Sequence, residues 1–137
     1  MTPDLCSEQD LADLVHAFYA AVRIDPLLGP VFNAHVGDWD QHLTRIVDFW
    51  SSVLLGTGRY TGTPMQKHAA LPELRPELFE RWLAVFDETA ARQPNRELAT
   101  RAGAAARRIA SSLWYGHQMT QRPGEMPTEL PHGRSTR

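Results

Sequence analysis

Four long stretches of this chain place apolar residues three and four positions apart, and glycine or proline stands between them. That spacing does not suit the strict alternation of a half-buried strand, so the core must be built by packing helix on helix. In the first stretch, Ser7-Glu8-Gln9-Asp10 has the form of a capping box with Asp in place of the usual Glu. Leu11, Leu14, Val15, Phe18, Tyr19 and Val22 follow, and predict a helix from about Glu8 to Arg23. Asp25-Pro26 begins a turn, and Leu28 to Asn33 reads as a compact apolar corner. A second helix, N-capped by Asp38 and stopping near Leu55 before Gly56, carries Trp39, Leu43, Ile46, Val47, Phe49, Trp50, Val53 and Leu54. A third starts at Arg75-Pro76-Glu77, with proline where its missing N–H costs nothing, and bears Leu78, Phe79, Trp82, Leu83, Val85, Phe86 and Ala90. Asn95 caps the last, whose seam is Leu98, Ala102, Ala106, Ile109 and Leu113 and whose expected end is Gly116.

At 137 residues the chain suits one core. The all-α domain is expected over 1–116, with 117–137, rich in proline, glycine and charge, as a disordered tail. A net charge of −2 with dispersed Lys and Arg argues against a nucleic-acid surface, and no stretch reads as a membrane span. Small neutral partners fit better. Cys6 is the only cysteine, so no intrachain disulfide forms. The first residues lack a secretory pattern, and the expected location is the cytoplasm.

The segment from Thr63 to Pro72 stands apart. Thr63 and Pro64 can open a helical turn, and Pro72 disfavours helix at Leu71, so His68 rides on a stub too short to be stable alone. Such a stub needs tertiary packing or something bound to its side chain. Neutral imidazole is the commonest metal ligand among side chains, which makes His68 a candidate for iron or zinc. Three further residues sit oddly on apolar stripes: Tyr19, His42 and Trp82. Any one alone reads as an edge or core residue whose polar atom finds a partner.

Taken together with their spacing, these residues resemble the group III truncated haemoglobins. The resemblance is carried by Phe18-Tyr19-x-x-Val22-Arg23-x-Asp25-x-x-Leu28-Gly29-Pro30-x-Phe32-Asn33, by His42 with Phe49-Trp50-x-x-x-Leu54-Leu55-Gly56, and by Tyr60-x-Gly62-x-Pro64-x-x-x-His68-x-x-Leu71-Pro72. It spans about Glu8 to Tyr115, and the absence of a Gly-Gly pair sets the chain apart from other truncated globin groups. The resemblance implies a two-over-two helical sandwich around haem b (iron protoporphyrin IX), with His68 as the proximal iron ligand. Tyr19, Trp82 and His42 would lie on the distal side, Phe32 on the porphyrin face, and Ile46 as a distal wall. Arg59, Lys67 and Arg75 lie near the segments that would meet the propionates.

The residue chemistry is compatible with that. A flat apolar cofactor needs a greasy slot, to which Phe32, Ile46, Phe49, Trp50 and Phe86 would contribute. One neutral imidazole leaves an iron position open for dioxygen, nitric oxide, carbon monoxide or cyanide. Tyr19 and Trp82 would offer two donors, slowing oxygen release by roughly tenfold to a hundredfold at about 0.5–1.5 kcal/mol each. Such a pocket suits ligand retention, or redox chemistry on nitric oxide or peroxide with an external reductase. His42 could donate, gate entry or coordinate iron, and its place at the stripe's edge favours the gate. Two rivals stand: a non-haem metal protein using His42 and His68, for which no helix offers a third ligand at suitable spacing, and a cofactor-free helical interaction module.

Overall fold

The computed structural model describes residues 6–60 and 74–121, with positions 124, 126, 127 and 130. His68, Lys67 and the rest of the proline-bounded segment lie outside the described residues.

Five helices are described: α1 (Glu8–Ile24), α2 (Leu28–His35), α3 (Trp39–Leu55), α4 (Pro76–Ala91) and α5 (Arg96–Gln121). None is long and apolar enough to cross a membrane. The caps act where the sequence placed them. The Ser7 hydroxyl accepts from Asp10 N and the Asp10 carboxylate from Ser7 N, which satisfies donors that α1 would otherwise leave unpaired. Asp38 caps α3, and Asn95 accepts from Leu98 N at the start of α5. Gly56 ends α3 at φ +70°, in the left-handed region that glycine enters without a side-chain clash.

Helices α1 and α3 form one layer, and α4 and α5 the other. α1 packs on α4 and α3 on α5, the pairing of a two-over-two arrangement. Phe18 is the fully buried centre, edge-on to Tyr19, Trp82 and Phe86 at centroid distances of 4.7, 5.3 and 4.9 Å. Such aromatic pairs prefer that geometry because ring edges are positive and faces negative. Between Leu98 and Trp114 the buried face of α5 is small: Ala99, Ala102, Gly103, Ala105, Ala106 and Ala110. Short side chains let α4 approach closely.

Two expectations needed correction. The compact apolar corner expected from Leu28 to Asn33 is a helix, Leu28–His35, because Gly29 and Pro30 sit in its first turn, where proline loses no intrahelical bond. A Cβ on Gly29 would lie 2.7 Å from the Arg23 carbonyl oxygen, so the tight passage from α1 to α2 requires glycine there. The last helix also runs through Gly116 to Gln121. Trp114, His117 and Gln118 continue its buried face, and His117 stacks on Trp114 at 5.7 Å. That packing outweighs the roughly 1 kcal/mol that a mid-helix glycine costs relative to alanine. Leu130, from the expected tail, is half-buried against the cluster of Phe79, Ala110 and Trp114.

Candidate functional site

A cavity of about 460 Å³ opens between the layers, and every described helix contributes to its wall. It falls within the range of roughly 300–1,000 Å³ common for small-molecule sites. From the residues singled out in the sequence, Tyr19 (α1), Phe32 (α2), His42, Ile46, Phe49 and Trp50 (α3) and Trp82 (α4) all line it. Phe86 does not. It lies one layer behind, stacked on Trp50 at 5.5 Å and on Trp82 at 5.9 Å, so it supports two wall residues from the core. One turn separates Trp82 from Phe86, and their rings overlap along α4 as (i, i+4) neighbours do.

The wall is apolar except at a few points. Tyr19 is buried, and removal from water pushes its phenol up to about 12, with the neighbouring Trp82 side chain drawing it partly back. Two groups from different helices therefore meet in the cavity. A buried, protonated phenol can donate its proton to whatever the cavity holds. His42 stands half-buried in the wall, with the Trp39 ring perpendicular to it at 5.6 Å.

The burial of Tyr19 has a measurable consequence. An unfolded tyrosine ionises near 10, and in this fold the proton stays until about 12. Between those values the folded chain holds a proton that the unfolded chain has released, so stability falls as pH rises from about 10 to about 12. Alkaline denaturation should show this loss, up to about 3 kcal/mol, and Tyr19→Phe should flatten it. An identical alkaline profile for the variant would count against a buried, neutral phenol.

Among the proposed propionate partners, Arg59 is committed elsewhere. It pairs with Glu8 on α1 and donates to Asp48 on α3 at 3.1 Å, tying the 56–60 loop to both helices. Arg75 is exposed beside Glu77. The structure instead brings Arg45 to the cavity's exposed edge, with His35 nearby in the wall and Tyr60 packed edge-on to Phe49 at 5.3 Å. The signal for Arg45 was present: it precedes Ile46 by one residue and follows His42 by three, on the rim of the same face. Ile109 and Leu113, which read only as the seam of the last helix, also line the wall, as does Leu74. Among the described residues no three His, Cys, Asp or Glu side chains cluster as metal ligands.

No family model matches the chain. The group 3 truncated hemoglobin ctb of Campylobacter jejuni is 41% identical over 87 residues, which is 61% of this chain and 68% of that protein. The crystal structure of a group III truncated hemoglobin from Campylobacter jejuni matches the fold with a TM-score of 0.77 and 35% identity, covering 92% of this chain and all of that one. The chain belongs to the group III truncated haemoglobins.

A haem cofactor is what membership of the truncated haemoglobins implies. The residues present fit it. Phe32, Ile46, Phe49 and Trp50 offer the broad apolar surface that a porphyrin buries, while Arg45 at the edge can meet its carboxylates. The Tyr19 hydroxyl and the Trp82 indole N–H in this greasy cavity are donors that a bound group with something polar could use.

Proposed function

We propose that this truncated haemoglobin holds haem b in the cavity between its two helical layers, with His68 as the protein ligand to iron and with Tyr19, Trp82 and His42 on the opposite side. Dioxygen, nitric oxide, carbon monoxide and cyanide are its small-molecule partners. The observation that carries this reading is the convergence of Tyr19, His42 and Trp82, from three helices, on one apolar cavity. Haem supplies an iron atom with an exchangeable position for a diatomic ligand.

The protein's part is to bind, orient and exclude water. Phe32, Phe49 and Trp50 keep the cavity dry, so a donor inside it is worth more than in solvent. Tyr19 supplies that donor, and its high pKa keeps the hydroxyl protonated across the physiological range. Trp82 lines the same cavity from α4, and its N–H is a second donor beside the phenol. Tyr19→Phe should therefore speed oxygen dissociation by roughly twofold to tenfold, the equivalent of about 0.5–1.5 kcal/mol. Stopped-flow displacement by carbon monoxide measures it, and an unchanged rate would remove Tyr19 from the distal role.

A pocket that retains its ligand is suited to chemistry on nitric oxide or peroxide, with electrons from an external reductase. The buried, unpaired Cys6 accords with a reducing cytoplasm. Titration of the full chain with haem tests the whole reading. A strong Soret band with near one-to-one stoichiometry supports it, and a folded protein that stays colourless favours a cofactor-free interaction module.

A further inference from the structure

Trp39 was assigned by its spacing to the apolar stripe of α3, yet its surroundings are not those of a core tryptophan. The ring is half-buried, and two directed contacts hold it. Its indole N–H donates to Asn33 Oδ1 at 3.1 Å, and Asn33 Nδ2 in turn donates to the Arg23 carbonyl at 3.3 Å. The Arg23 guanidinium lies over the ring, 4.7 Å from its centroid. The end of α1, the end of α2 and the start of α3 are thus joined through one indole. Burial of apolar area requires none of these contacts, since a leucine would serve that purpose.

The ring touches two residues of the proposed distal side. His42, three positions along α3 and so on the same face, is perpendicular to it at 5.6 Å, and Tyr19 is 6.2 Å away. Trp39 does not itself line the cavity. We propose that Trp39 is a positioning residue for His42: clamped by Asn33 and Arg23, its indole restricts where the His42 imidazole can stand in the cavity wall and thereby sets how readily a diatomic ligand enters. This rests on the haem reading above. A tryptophan suits the task because it has only two side-chain torsions, and the N–H bond and the cation over its face hold both. Removing either restraint lets the imidazole leave the wall more often.

The test uses the full-length protein with haem and four variants: Trp39→Leu, Asn33→Ala, His42→Ala and the Trp39→Leu/His42→Ala double. Carbon monoxide association after flash photolysis should be about threefold to tenfold faster in Trp39→Leu and about twofold to threefold faster in Asn33→Ala, the range expected for coupled neighbours. His42→Ala should be at least as fast, and adding Trp39→Leu to it should change the rate by less than about twofold. The same acceleration from Trp39→Leu with and without His42, or none in either, would overturn the proposal. Should Trp39→Leu fold poorly, Asn33→Ala decides by the same comparison, since its side chain is exposed. Proton resonances of the His42 ring, recorded under carbon monoxide, give a readout independent of kinetics. They should move when the indole is removed, and unmoved resonances refute the contact. Loss of the haem reading is recognised separately by the absence of a Soret band, and the resonance measurement, then made without carbon monoxide, still decides whether the indole positions His42.

Discussion

Full-length protein carrying His68→Gly is expected to lose the Soret spectrum of the parent and to retain haem more than about a hundredfold more weakly, since even outer partners of a metal ligand contribute tenfold to a hundredfold. The expectation comes from the sequence and the family, because His68 lies outside the described residues. A histidine between Pro64 and Pro72 sits on a segment with little helical stability of its own, and a bond to iron would hold that segment in place. Glycine removes the ligand and leaves a space the size of an imidazole. Added imidazole should therefore restore the spectrum in the variant and leave the parent unchanged. A His68→Gly protein with its full complement of haem and the parent's visible spectrum would require another ligand. His42, already in the cavity wall, would be the first to test.

The largest stability effect is expected at Asp25, the turn residue between α1 and α2. Its carboxylate is almost wholly buried, yet every oxygen is used. Oδ2 accepts from Leu27 N at 3.0 Å and Leu28 N at 2.9 Å, and Oδ1 accepts from Arg81 Nε at 2.7 Å and Nη2 at 2.6 Å. Its backbone carbonyl also accepts from Gly29 N at 2.8 Å. One side chain therefore starts α2 and fastens it to α4. Asp25→Ala leaves two backbone N–H groups without their acceptor and a guanidinium without its partner. Loss of the cap and of the charge-assisted bonds should cost about 2–4 kcal/mol, discounted because Arg81 is partly exposed. The melting temperature should fall by roughly 6–15 °C. A loss below about 1 kcal/mol would mean that the turn is held by packing alone.

The pH dependence follows from the same contacts. Arg81's hydrogen bond, aided by the Leu28 and Leu27 amides, holds Asp25 below the usual carboxylate range against the opposing effect of burial. The stability it supplies is fully present above the ordinary carboxylate pKa. It is lost as pH falls through the depressed folded value, where the native carboxylate at last takes up a proton. Acid unfolding of the parent should accordingly be steeper than that of Asp25→Ala.

Helices α1, α3 and α4, and the start of α5, were legible in the sequence because their causes are local. A capping serine, aspartate or asparagine, a proline at the first helical position and a run of apolar residues at helical spacing each act within a few residues. The same spacing put Tyr19, His42 and Trp82 on inward faces. What the periodicity cannot encode is where one helix crosses another. Tertiary structure alone decided that Ile46 and Trp50 line a cavity while Phe86, on an equally apolar stripe, lies behind it. It turned Arg59 toward Glu8 and Asp48, brought Arg45 to the cavity's edge, made a helix of the Gly-Pro corner, and carried α5 past Gly116 through the packing of Trp114 and His117. The reason is one of range: a residue's face is set by the 3.6-residue turn of its own helix, whereas its neighbour across the gap is set by side chains tens of positions away.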